Sequence, residues 1–113
     1  MALSQSDAGL LDVKTNLMVS LYVILAIHYF LENKFLFALS AIIAAIAKVT
    51  HNHYVYFFAA ACEFQQPIAM VGYTLAGFGK ADAATVVLAL FYTMLGFRHE
   101  NVAATAVGVG LVL

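Results

Sequence analysis

From Asn16 onward, charged residues fall at only five places, and nearly everything between them is apolar. The polar clusters cut the chain into blocks. Residues 16–31 end at Glu32, Asn33 and Lys34, and residues 35–47 end at the polar stretch 48–53. Residues 54–78 end at 79–82, residues 83–97 end at 98–101, and an apolar tail follows over 102–113. A helix rises about 1.5 Å per residue and a hydrocarbon core is about 30 Å thick, so roughly 20 residues span it. The stretch 54–78 is long enough alone. The shorter blocks reach that length when Lys14, Glu32, Lys34, Lys48, Lys80 and Arg98 snorkel to the interfaces. The pattern predicts an all-α membrane protein with a single integral domain. About four transmembrane helices, near 16–31, 35–47, 54–78 and 83–97, would form two αα-hairpins. The tail 102–113 is too short for a fifth span.

Composition supports this class. The chain is 65% hydrophobic and 10% charged, against about 45–50% and about 25% in soluble domains. The formal net charge of −1 provides no basic footprint for nucleic acid and no polybasic tract for anionic lipid. Cys62 is the lone cysteine, so no internal disulfide forms. Its default role is that of a small buried hydrophobe.

Residues 1–15 are polar, with Ser4, Gln5, Ser6, Asp7, Asp12 and Lys14. No basic residue precedes Lys14, so the first apolar block is expected to direct insertion itself. The stretch reads as a free arm or a short surface helix. Ser6 or Asp7 would cap such a helix, with Leu10 and Leu11 toward lipid. Gly77 and Gly79 suit a helix end, and Asp82 a cap for the next helix. Four spans would put Lys14, Lys48 and Arg98 on one side, and Lys34 and Lys80 on the other. The positive-inside rule then leans, by one charge, to cytoplasmic termini. Ala41 with Ala45, and Gly72 with Ala76, have the small-xxx-small spacing that lets membrane helices approach.

Glu63 is the costly residue. It lies inside the long block, beside Gln65, Gln66 and Pro67. An ionisable group at mid-depth costs roughly 2.5–3.5 kcal/mol on insertion scales, so it usually has a partner or a task. Pro67 has no N–H for the carbonyl of Glu63, four residues back, which predicts a free acceptor inside the membrane. The cluster suits either of two roles. It can be a polar contact with a partner chain, or it can be a proton or ion site like those at broken helices of transporters.

The histidines support a third reading. His28 and Glu32 are four apart on one helical face, as a metal-ligand pair or a plain hydrogen-bonded pair. With four spans, His51, His53, His99, Glu100 and Asp12 share one side and would suit zinc, copper or iron if they converged. A membrane histidine can also hold haem or chlorophyll, and only His28 approaches the required depth. The bland alternative, interfacial histidines bonded to loop backbone, needs no cofactor. No intrinsic cofactor is therefore expected beyond lipid.

In length and span number the chain is similar to the small multidrug-resistance transporters. That family has its essential carboxylate in the first helix, whereas residues 16–31 hold none, so no residue carries over. No zincin motif, phosphate-binding glycine loop or nucleophile elbow is present. The leading expectation is a small non-catalytic accessory subunit of a larger membrane complex. Energy-conversion assemblies and membrane oxidases or monooxygenases contain such subunits. The alternatives are an oligomeric proton-coupled transporter using Glu63, and a pigment-, haem- or metal-carrying anchor using the histidines.

Overall fold

The computed structural model describes the backbone of residues 5–113 and the side chains from Val13 onward. Six α-helices make up this part of the chain, with no strand among the described residues. They are α1 (Gln5–Leu31), α2 (Phe35–Thr50), α3 (Tyr56–Cys62), α4 (Pro67–Gly77), α5 (Ala81–Arg98) and α6 (Val102–Val112). A 3-10 turn, His53–Val55, leads into α3. The polar stretch expected as an arm or surface helix continues instead into the first apolar block as one helix from Gln5. The side-chain roles proposed for Ser6, Asp7, Leu10, Leu11 and Asp12 lie outside the described residues.

Four of the reversals share one construction. Asn33, His51, Gly79 and Glu100 all have positive φ, between 53° and 81°. The residue after each donates its N–H back to a carbonyl five positions earlier: Lys34 to Tyr29, Asn52 to Ala47, Lys80 to Leu75 and Asn101 to Gly96. This left-handed cap satisfies carbonyls that a helix end would leave bare, which matters most where water is scarce. Asn101 also opens α6, its side chain accepting from Ala104 N–H at 3.0 Å. Asp82 does not cap α5: Lys80 holds the cap position without a side-chain bond, and Asp82 sits in the first turn.

The longest block is not one span. It folds into α3 and α4, which run back on each other across a turn at 63–66. The ends of the block meet: His53 Nδ1 donates to the Gly77 carbonyl at 2.8 Å, and the Phe57 ring lies against Gly77. The cause is Pro67. A proline disfavours helical geometry at the preceding residue, and Gln66 is non-helical, with φ −126° and ψ 85°. Pro67 then opens a new helix, where its missing N–H costs nothing.

This extra reversal re-sorts the polar segments. The turns at 32–34, 63–66 and 98–101 gather at one end of the bundle. Lys14, the 48–53 segment and the start of α5 gather at the other. The expected grouping of 48–53 with 98–101 is therefore corrected.

Large and small side chains have exchanged their usual places. On α2, Ala38, Ala41, Ala44 and Ala45 are buried, while Phe35, Leu39, Ile42 and Ile46 are exposed. Ala41, Ala45, Gly72 and Ala76 all lie inside. Helices α5 and α6 approach closely through Gly96 against Thr105 and Thr93 against Gly108. Gly110 brings α6 onto Met18 and Leu21 of α1. Two helical segments, Val13–Leu31 and Ala81–Arg98, are long and apolar enough to cross a membrane. Phe35–Thr50, Pro67–Gly77 and Val102–Val112 are apolar but shorter.

Candidate functional site

Glu63 ends α3, and the new turn satisfies its backbone. Its N–H donates to Ala60 O at 3.0 Å, and its carbonyl accepts from Gln66 N–H at 2.8 Å. The free carbonyl expected from Pro67 is therefore absent, because the chain reverses before the proline instead of kinking through it.

The Glu63 side chain is 2% exposed. Ser40 of α2, fully buried, donates its hydroxyl to Ala59 O at 3.3 Å and lies near Glu63. Ala59 and Glu63 are one helical turn apart, so a single serine on α2 lies near both. Beyond the carboxylate lies a cavity of about 40 Å³ between α1, α2, α5 and the 63–66 turn. Tyr29, Phe37, Phe91 and Leu95 form its apolar wall; Glu32, Lys34, Gln66, His99 and Asn101 are its polar lining. That volume admits water but not a solute. Of the glutamines, Gln66 lines this cavity, and Gln65 is exposed outside it.

A second polar group lies in the middle of the bundle. Tyr22 of α1, Tyr73 of α4 and Tyr92 of α5 are at most 1% exposed. Tyr73 and Tyr92 share a hydrogen bond between their hydroxyls, and Tyr73 reaches Tyr22 OH at 3.5 Å. Tyr56 stacks on Tyr73 at 6.0 Å. The cluster ties three helices together through the one side-chain oxygen they share. A Tyr73→Phe change removes that oxygen and strands two buried hydroxyls. It should cost about 2 kcal/mol, more than Tyr22→Phe, measured as the shift of thermal unfolding in mild detergent. Equal effects of the two variants would show that Tyr73 is not the hub.

The histidines separate. His28 Nε2 pairs with Glu32 at 2.7 Å on a half-exposed face of α1. His51 and His53 line a cavity at one end, and His99 lines the Glu63 cavity at the other. His51, His53, His99 and Glu100 therefore do not converge, and the side chain of Asp12 lies outside the described residues. Among the described residues, no three of His, Cys, Asp and Glu come close enough to hold a metal ion. Cys62 is half-buried beside Glu63.

Sequence reasoning picked out Glu63 and missed Ser40 and the tyrosines. The available signal was that Tyr22, Tyr73 and Tyr92 each fall well inside an apolar block, where a phenol needs a partner. Compared with known proteins, the chain matches no family model, no curated protein and no solved structure.

Proposed function

We propose that this protein is a small, non-catalytic subunit of a larger integral membrane complex, of the energy-conversion or membrane oxidase and monooxygenase type. The observation that carries this reading is where the polar groups lie. The hydroxyls of Tyr22, Tyr73 and Tyr92 and the side chain of Ser40 are buried in internal contacts, and Glu63 is buried beside a chamber of only about 40 Å³. The outward faces carry Leu, Ile, Phe and Val instead. In water that surface would be a large aggregation liability, whereas in lipid, small residues inside and bulky ones outside are the stable arrangement. Helices α4 and α6 are about 17 Å long, little more than half a hydrocarbon core. A short apolar helix in a membrane needs local thinning or a neighbouring chain to cover the deficit. The partners are other membrane subunits and lipid.

Lys14, Lys48 and Lys80 mark one end of the bundle, and Lys34 and Arg98 the other. We assign the three-lysine end to the cytoplasm. The beginning of α1 and the end of α6 both lie toward it, with Leu111 sharing a cavity with Lys48.

Gentle-detergent purification from the native membrane tests the proposal, with native gels, mass spectrometry and an absorption spectrum on one sample. Stoichiometric co-purification with larger, different membrane proteins is the expected result. A chain running alone or as a homo-oligomer would overturn it. Proton-coupled transport is the second reading, favoured by the polar groups Glu32, Lys34 and His99 that line one small cavity with Glu63. Its test is flux in proteoliposomes that depends on Glu63.

A further inference from the structure

The end of the bundle opposite Glu63 carries a second feature, assembled from residues far apart in the chain. A cavity of about 310 Å³ lies between α1, the end of α2 and the 3-10 turn. Lys14, Lys48, His51 and His53 line it, with Thr15 and Tyr56 adding hydroxyls. Among the described residues, no carboxylate lines it. Lys14 and Lys48 come from helices joined only at the far end, yet they face one cavity and repel each other there. The Lys48 ammonium lies over the face of the Tyr56 ring, at 6.0 Å from its centroid. His53 already donates Nδ1–H to Gly77 O. Among the described residues the two cations have no counter-charge in this cavity, and an anion seated between them would relieve their repulsion.

The cavity is continuous in its lining with a second lobe of about 240 Å³, which shares Lys48, His53 and Tyr56. That lobe is mainly apolar, walled by Ala76, Ala84, Leu88 and Leu111. Asp82, in the first turn of α5, lines neither lobe. A cationic cavity that shares Lys48, His53 and Tyr56 with a mainly apolar one matches a molecule with an anionic head and a hydrocarbon arm.

We infer that the Lys14–Lys48–His51–His53 cavity binds the phosphate headgroup of an anionic phospholipid, with an acyl chain in the adjoining groove. The lysines bind the phosphate oxygens as point charges, and Thr15 and Tyr56 donate hydroxyl hydrogens. Basic pockets between membrane helices at a cytoplasmic interface have this chemistry. The inference rests on the membrane part of the proposed function but not on the subunit part, since it concerns the chain by itself.

The test uses the full chain purified in a non-ionic detergent. Native mass spectrometry would follow retention of phosphatidylglycerol, of phosphatidylcholine with the same acyl chains, and of inorganic phosphate. Phosphatidylglycerol should be retained at least tenfold more strongly than phosphatidylcholine. Each lysine contributes roughly fivefold, so Lys14→Gln with Lys48→Gln should weaken retention about thirtyfold. Lys48→Arg should preserve binding, and Lys34→Gln at the far end should not change it. Lys14 is exposed, so Lys14→Gln alone reads the site even if the double variant fails to fold. Equal retention of the two lipids, or a folded double variant that binds like the parent, would overturn the inference. So would inorganic phosphate displacing the lipid at equal concentration, which would assign the site to a free anion. A chain that stays monodisperse without detergent would sink the membrane reading. A detergent-dependent chain that ignores phosphatidylglycerol would sink only this one.

Discussion

Gly108→Val is expected to unfold the α5–α6 hairpin, lowering stability by about 3 kcal/mol or more. A Cβ at Gly108 would stand 2.7 Å from the backbone nitrogen of Thr93 and 2.9 Å from Ala89 O. Gly96 has the matching problem, with Thr105 N at 2.6 Å and Asn101 O at 2.9 Å. Backbone on the facing helix cannot rotate away as a side chain can, so α5 and α6 would have to separate. Glycine within a helix costs roughly 1 kcal/mol relative to alanine. These two glycines offset that cost through the close approach they allow. Gly110 provides the internal control. Its built Cβ would meet only the ends of Leu21 and Met18, both side chains, at 2.8 Å. Gly110→Ala should cost about 1 kcal/mol or less, because methionine repacks easily. Thermal unfolding of the three variants in one mild detergent checks the order. If Gly110→Ala proves as damaging as Gly108→Val, the close-approach account of α5 and α6 fails.

The second large effect concerns Glu63. Glu63→Ala should destabilise the fold by about 2–3 kcal/mol, through lost packing and an enlarged cavity between the 63–66 turn and α2. Glu63→Gln should cost less than about 1 kcal/mol, because the amide keeps the volume and remains a polar group beside the cavity. The pair of variants also separates the functional readings. A subunit that uses Glu63 as an internal strut assembles normally with glutamine and poorly with alanine. A proton carrier loses coupled flux with glutamine although the fold is intact. Unfolding temperature, co-purification yield and proteoliposome flux on the same two variants would decide. A glutamine variant as unstable as the alanine one would show that the negative charge itself holds the turn.

Composition and net charge do not disclose the cationic cavity. Lys14, Lys48, His51 and His53 form no basic tract, and a net charge of −1 suggests no anion partner. Helix α2 returns the chain to its starting end, and that return places Lys48 opposite Lys14. A local field depends on distance in space, while net charge and sequence runs average over the whole chain.

The helical class and four of the reversals were determined by the sequence itself. Polar clusters bound the apolar blocks at 32–34, 48–53, 79–82 and 98–101, where Asn33, His51, Gly79 and Glu100 take the left-handed turn. Those are local constraints, legible without knowing any neighbour. The reversal at Glu63 was of another kind. Residues 54–78 have the length of a span, and a proline there is compatible with either a kinked helix or the start of a new one. Only contacts between distant parts of the chain decided it: Ser40 beside Glu63, His53 on the Gly77 carbonyl, and Phe57 against Gly77. The same contacts set which polar turns share an end, and so which histidines and lysines meet. Spacing in sequence constrains one helix face at a time, and the meeting of faces is settled by how small residues let the helices pack.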